Sequence, residues 1–217
     1  MKTALAATTA LLILGTSTVL GQGMPVSVGV RASTLGLGAE VALGLSDKVE
    51  VRGVGNYFSV SRDFDWSDVT YSADLKLKSA GVLFDLYAGP LRLTAGGMWN
   101  GNKLSGSADP TVSVTIGDTT YSAANVGTLT AGIDFQKFAP YVGLGLGGRG
   151  KVGFFFDLGV VLQGSPQINY VATTSLTGPA LTKFTQEVSD EIINIEDDLS
   201  VFKYYPVVAL GLRLKLK

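Results

Sequence analysis

The feature that most constrains this chain is a side-chain period of two. Across Val152–Leu162 the even positions Val152, Phe154, Phe156, Leu158, Val160 and Leu162 are all large and apolar. The odd positions include Gly153, Asp157 and Gly159, with Phe155 and Val161 as exceptions. Successive side chains of a strand point to opposite faces, so the pattern describes a strand between two different environments. The last segment repeats it, with Val208, Leu210, Leu212 and Leu214 against Ala209, Gly211, Arg213 and Lys215. Residues 91–102 set Leu91, Leu93, Ala95 and Trp99 against Arg92, Thr94 and Met98. Residues 71–78 set Tyr71, Ala73, Leu75 and Leu77 against Ser72, Asp74, Lys76 and Lys78.

Further strands are expected at 26–32, 35–45, 49–61 and 129–147. The apolar phase flips between Val26, Val28 and Val30 and then Leu35, Leu37 and Val41. A tight turn at Ser33-Thr34 explains the flip and gives eight strands; a bulge in one long strand also explains it and gives seven.

Apolar residues make up 46% of the chain and charged residues 16%, against about 25% charge in an ordinary soluble domain. Mean hydropathy is +0.32. Past the N-terminus no run of ~18 uncharged apolar residues occurs, which excludes helical membrane spans. The hydrophobicity is spread over short alternating segments instead, and the 28 glycines suit strands and turns better than helices.

Two absences exclude whole classes of chemistry. The chain has no Cys, so disulfides, thiol catalysis and Cys metal sites are excluded. It has no His, which removes Ser-His-Asp triads, imidazole acid–base catalysis and the commonest metal ligand. A net charge of −1 argues against a nucleic-acid partner. The run GLGLGG at 143–148 matches a nucleotide fingerprint only superficially, because it sits in strand-like alternation with no helix after it. Neither a cofactor nor a metal is expected, and the chain is not expected to be an enzyme.

The N-terminus has the three parts of a secretory signal: Met1-Lys2 supplies positive charge, 4–14 an apolar core, and Val19-Leu20-Gly21 ends on a small residue. The expected division is a cleavable signal peptide at 1–21 and one barrel at 22–217. An anchoring helix is the alternative, against which the apolar core is short and lacks stop-transfer charges.

Alternation by itself is symmetric in direction, so the sense must come from size. An eight-stranded interior holds only the side chains that fill it. Gly and Ala on the polar face leave room there for long charged groups, which assigns the polar face to the interior and the apolar face to lipid. A soluble barrel of opposite sense is the alternative. On this phase the inward set is Arg31, Glu40, Glu50, Arg52, Asp74, Lys76, Lys78, Arg92, Asp134, Asp157 and Arg213, with Asp85 of uncertain phase. Charges of both signs in a narrow space should pair, since an unpaired buried charge is costly. The same residues fit either a plug or a gated conductance.

Phrases such as LGLGAEVALGLSDKVEVRG and YYPVVALGLRLKLK resemble the small outer-membrane barrels of the OmpA-barrel and OmpW type. The resemblance implies an all-β fold, a closed antiparallel up-and-down transmembrane β-barrel in the bacterial outer membrane. It implies membrane lipid, lipopolysaccharide and the barrel-insertion machinery as partners, and a monomer. The family's usual terminal aromatic has no counterpart in Leu216-Lys217. Its orientation makes the short turns at 45–48, 88–91 and 147–151 periplasmic, and the connections 63–70, 105–127 and 164–203 extracellular. Tyr57, Trp66, Tyr71, Trp99, Tyr204 and Tyr205 near strand ends suit an interfacial girdle, or ordinary loop packing.

The last extracellular connection carries one amphipathic helix. Leu181, Phe184, Val188, Ile192, Ile195, Leu199 and Phe202 recur every three or four residues, Pro179 suits a first turn, and Glu187, Asp190, Glu191, Glu196, Asp197 and Asp198 form the other face. This helix either covers the barrel mouth, binds a partner, or bridges to lipopolysaccharide through divalent cations. No calcium-loop spacing is present. The expected function is a structural or interaction barrel with an ion-paired lumen; the alternative is a narrow channel or conduit for small solutes.

Overall fold

The structure, a computed structural model, describes residues 24–66 and 69–216. The expected signal peptide lies outside the described residues. Eight strands form a ring: β1 (Val26–Ser33), β2 (Gly36–Gly44), β3 (Val49–Trp66), β4 (Val69–Ala88), β5 (Leu91–Asn100), β10 (Phe138–Gly147), β11 (Val152–Leu162) and β13 (Tyr204–Lys215). Each pairs antiparallel with the next, and β13 returns to β1. Between β5 and β10 lie β6 (Lys103–Pro110), β7 (Val114–Ile116), β8 (Thr119–Tyr121), the short α1 (Ala123–Val126) and β9 (Leu129–Asp134). Between β11 and β13 lie β12 (Gln167–Ala172), α2 (Gly178–Asp198) and a 3-10 turn, Leu199–Lys203.

The short turns gather at one end of the ring, here the lower end. At 45–48 the Ser46 hydroxyl accepts from the amides of Lys48 and Val49 at 3.3 and 3.1 Å. At 147–151 the chain reverses through Gly147, Gly148 and Gly150, whose φ of 78°, 85° and 101° lies in the left-handed region. Residues 34–35 make the tight turn that gives eight strands rather than seven. The Thr34 amide there donates to Val208 O at 3.0 Å.

Two expected strands divide. Residues 129–147 form β9 and β10 with a break at 135–137, and 91–102 ends as a ring strand at Asn100. The upper parts of β3 and β4 rise beyond the ring, and β6, β9 and β12 pair onto β4 in that order to make a five-stranded wall above it. Backbone bonding carries across the breaks: Asn100 N reaches Lys137 O at 2.7 Å and Gly101 N reaches Lys78 O at 2.8 Å.

In the ring the apolar phase points outward. Phe154 is 78% exposed, Leu37 70%, Val30 63% and Leu210 60%, while inward Arg52, Arg92 and Asp85 are at most 1% exposed. In the wall above, the sense inverts. Leu75, Leu104, Ile133 and Ile168 stand opposite one another on the inner face. Lys76, Lys103, Asp134 and Gln167 form the neighbouring row on the outer face. The β3–β4 register runs without a skip from Val49 opposite Leu86 to Trp66 opposite Val69, so the backbone parity never changes. Only the chemistry of the two faces changes places.

This corrects the expectation for 71–78. Local alternation puts Asp74, Lys76 and Lys78 inward with Leu75 and Leu77 outward, and the opposite holds: Leu77 is buried inside and Lys76 and Lys78 are exposed. Asp134 is likewise on the outer face, in the row with Lys76 and Lys103. The inner face of the wall is apolar because later segments lie against it, Leu199 and Phe202 of the 3-10 turn beside Leu75 and Leu77, and α2 over β9 and β12. Phe184 and Val188 pack there with Tyr121 and Val126, against Leu129, Tyr170 and Ala172. The Phe184 and Tyr121 rings meet edge-on with centroids 5.2 Å apart. The helical stripe is covered less evenly in its second half, where Ile192 packs on the same cluster and Leu199 is half-buried but Ile195 is 39% and Phe202 52% exposed.

Two residues of the acidic face are also anchors. Glu187 accepts from the hydroxyls of Thr119 and Tyr121 at 2.6 and 2.7 Å, and Glu196 accepts from the Ile168 amide at 2.8 Å. The Thr119 and Tyr121 hydrogen bonds hold the Glu187 carboxyl below its usual range. A depressed folded value gives stability that is full above the unfolded value and is lost as pH falls through the folded one. Docking of α2 on the β7–β8 hairpin is therefore expected to loosen in acid. Amide exchange in 114–121, corrected for its intrinsic pH dependence, should quicken as pH drops, and Glu187→Gln should remove that dependence.

Candidate functional site: an arginine–carboxylate network inside the ring

The inward phase of the lower ring brings charges from seven strands into one network. From β3, Arg52 Nη1 lies 3.2 Å from Glu40 Oε2 (β2) and 3.0 Å from Asp157 Oδ2 (β11), and its Nη2 donates to Asp85 Oδ1 (β4) at 3.1 Å. From β13, Arg213 Nη2 donates to Glu40 Oε1 at 2.6 Å and Nη1 to Glu50 Oε1 (β3) at 2.7 Å. From β5, Arg92 pairs with Asp157 and lies 3.6 Å from Asp85. From β1, Arg31 lies 3.5 Å from Glu40. Four arginines thus face four carboxylates, and every side chain is at most 4% exposed except Glu50 at 16%.

Neutral groups extend it, although the Nε atoms of Arg31, Arg52 and Arg92 and Asp85 Oδ2 are buried without a hydrogen bond. The Tyr87 hydroxyl accepts from Arg92 Nη1 at 3.1 Å and donates to Glu50 at 3.3 Å, and Thr94 donates to Asp85 at 2.6 Å. The Phe155 ring receives the guanidinium groups of Arg213 and Arg92 at 5.5 and 5.8 Å. Glycine on neighbouring strands makes the space: a Cβ on Gly145 would lie 2.5 Å from Asp157 Oδ1 and 2.8 Å from Arg92 Nε.

Of the residues that the sequence pattern places inward, Arg31, Glu40, Glu50, Arg52, Arg92, Asp157 and Arg213 meet in this network, and Asp85 joins them. Asp74 is bonded instead to Ser61, Lys78 lies over the Trp99 ring at 5.6 Å, and Asp134 pairs with Lys103 at 3.7 Å on the outer face of the wall. Lys76 is exposed on that same face. Sequence reasoning misses Tyr87 and Thr94. Their signal is nevertheless present, since Tyr87 shares the parity of Asp85 and Thr94 that of Arg92.

The interior is layered above the network. Leu35, Val54, Leu83, Met98, Tyr141, Val161 and Val207 form an apolar layer. Over it lies an amide layer, where Asn56 Nδ2 donates to Ser79 at 3.0 Å and Asn100 Nδ2 to Gln163 Oε1 at 3.2 Å. Below the network a vestibule of about 320 Å³ opens at the lower end between Ser27, Asp47, Glu50, Tyr87 and Arg149. The Arg149 guanidinium stacks on Tyr87 at 4.1 Å and donates to Asp47 O. Among the described residues no group of three or more Asp and Glu is arranged to hold a metal ion.

Removing one partner of a buried pair leaves an uncompensated charge, a loss of about 3–5 kcal/mol. Asp157→Leu, which strips a carboxylate from both Arg52 and Arg92, is expected to fall in that range in a denaturant titration. Gly145→Val should cost about 1–3 kcal/mol through crowding alone. An unfolding midpoint equal to wild type for Asp157→Leu would show that the network adds nothing to stability.

No family model and no curated protein matches the chain. Solved structures do. CarO2 of Acinetobacter baumannii superposes with a TM-score of 0.58 at 20% identity, over 89% of this chain and 99% of that one. CarO of the same organism gives 0.57 at 19% identity, over 88% and 97%. At such identity the likeness carries the fold, an antiparallel up-and-down ring of eight strands.

Proposed function

We propose that the chain is an integral outer-membrane β-barrel, closed by its strand ring, with a lumen plugged by ion pairs and a structural or interaction role. The observation that carries this reading is the sense of the ring: apolar side chains exposed outside, arginines and carboxylates buried inside. An exposed apolar belt of this extent is unstable in water and suits lipid. The ring satisfies its backbone groups between strands, as hydrocarbon requires. β5, with 10 residues, is typical of its strands; tilted, such a strand rises about 25 Å, the height of an outer-membrane apolar band.

The inversion of sense above the ring marks the water boundary in this reading. Tyr57, Trp99, Phe138 and Tyr204 are exposed at that level, and Lys78 lies over Trp99. Amphipathic rings and lysine are the residues that settle at an interface. Tyr205, also considered for the girdle, turns inward instead and donates to Thr34 O at 2.7 Å. The wall and α2 then stand outside the cell, facing lipopolysaccharide, and the barrel acts as a monomer without catalytic chemistry.

A narrow channel is the second reading, favoured by the vestibule that reaches Glu50. It needs the ion pairs to exchange partners and the apolar layer to part. Planar-bilayer recording separates the two. Wild type is expected to give no conductance steps of reproducible size. Arg52→Ala combined with Asp85→Ala and Leu83→Ala, which thins both the ion-pair network and the apolar layer above it, is expected to give them. Stable steps from wild type would overturn the plug and favour the channel.

A further inference from the structure

On the outer face of the wall, directly above the ring, lysines outnumber the acids that answer them. Lys76 of β4 is the direct cross-strand partner of Lys103 of β6, and Lys78 follows two residues lower on the same face of β4. Cross-strand partners have Cβ atoms about 5 Å apart, and alternate residues of one strand are about 6.6 Å apart. All three lysines are exposed. Like charges set directly opposite each other work against strand pairing. Asp134 of β9 reaches Lys103 at 3.7 Å, and Asp74, one step farther from the ring, accepts instead from Ser61. Among the described residues no hydrogen bond or ion pair takes up the Lys76 ammonium, and that of Lys78 has only the face of Trp99.

Immediately below Lys78 the apolar belt of the ring is hollowed. Ala39, Gly55 and Ala80 are neighbours in one cross-strand row of β2, β3 and β4, with Gly97 of β5 one step lower. These small residues floor a shallow trough on the outside of the ring, which Trp99 and Phe138 border. A Cβ on Gly55 would meet nothing within 4 Å, so the floor is open to whatever surrounds the ring. Trough and lysines are continuous, because Ala80 and Lys78 are alternate residues on one face of β4. The lower half offers contact to hydrocarbon and the upper half attracts an anion.

We propose that lysines and trough are one binding site for a phosphorylated lipid of the outer leaflet, with its phosphate among Lys76, Lys78 and Lys103 and an acyl chain in the trough. The inference rests on the reading of the ring as an outer-membrane barrel, which puts the lysines at headgroup depth. Three lysines, one of them paired with Asp134, leave a surplus of positive charge on this face. A phosphate monoester carries about 1.5–2 negative charges and meets that surplus. It also turns the Lys76–Lys103 repulsion into attraction to a shared counter-ion. Lysine suits the task, since an ammonium binds phosphate as a point charge without a fixed geometry. A free phosphate would meet the same charges and forgo the trough.

The test uses the full barrel in phosphatidylcholine nanodiscs, with lysine Cε and leucine methyl groups isotope-labelled for NMR. Bisphosphorylated lipid A is titrated in as the probe, beside its dephosphorylated form and inorganic phosphate. Lipid A is expected to shift Lys76, Lys78 and Lys103 to saturation, while the exposed Lys48, Lys151 and Lys215 of the lower end follow bilayer charge without saturating. The dephosphorylated lipid should shift none of them. Lys76→Gln combined with Lys103→Gln should raise the lipid A fraction that saturates Lys78 by about tenfold or more, at about fivefold per lysine. Gly55→Leu, which fills the trough floor, should raise it as well. Saturation by inorganic phosphate at the same midpoint as lipid A would mark a free-phosphate site and overturn the lipid. Nuclear Overhauser contacts from acyl protons to the outward methyls of Leu93 and Leu144 report separately on the barrel reading. With those contacts present, a linear response of the three lysines, or saturation unchanged in the double variant, overturns the lipid site alone. Without those contacts the barrel reading falls, and the site with it.

Discussion

Arg52 touches carboxylates from β2, β4 and β11 while itself belonging to β3, so one side chain ties together four strands of the ring. The interior of an eight-stranded ring is only as wide as the side chains that fill it. A fully buried guanidinium there is tolerable only with its charge matched; both terminal nitrogens of Arg52 are hydrogen-bonded, and its Nε lies 3.0 Å from Asp85 Oδ2 without a hydrogen bond. That requirement propagates. Three carboxylates must converge on Arg52, three further arginines together with Glu50 must bring the charge to balance, and small residues such as Gly145 must stand where the long side chains cross. Much of what looks like loose composition, the glycines above all, is the space these groups occupy.

The second constraint is that a strand has two faces and the solvent around it changes along its length. In β4 the even positions are Val82, Phe84 and Leu86 below and Ser72, Asp74 and Lys76 above, with one uninterrupted register throughout. In the proposed reading the lower part stands in lipid and the upper part in water. The wall above the ring is then an ordinary sheet with an apolar side under α2, built on the same strands as a membrane barrel. No bulge is needed for the change, because it is written in side chains alone.

That is also where the sequence is hardest to read. The ring strands, a reversal near Ser33-Thr34 that the structure places at 34–35 in preference to a bulge, the positions of the lower turns and the apolar outward phase of β5, β11 and β13 follow from period two and turn chemistry. A period of two has no sign, however. Read locally, 71–78 matches the lower strands, where apolar means outward, and that reading places Asp74, Lys76 and Lys78 inside. The information that corrects this is nonlocal, namely that the 3-10 turn, more than a hundred residues later, brings Leu199 and Phe202 to that face while α2 covers the wall beside it. The break that divides 129–147 is hidden for a related reason, since β9 and β10 share parity and only Phe135-Gln136-Lys137 separates them. Conversely, the core of the network is readable because Glu40, Glu50, Arg52, Arg92, Asp157 and Arg213 lie in stretches of strand whose sense never changes.

The layered interior has a consequence for anything that would thread it. From the top a solute meets leucine and isoleucine, then carboxamides, then another greasy layer, and last a lattice of guanidinium and carboxylate. Each layer welcomes what the next one rejects. Width is therefore not the only filter in this ring: the order of the layers is a combination lock, one that a molecule of uniform polarity matches at some layers and never at all of them.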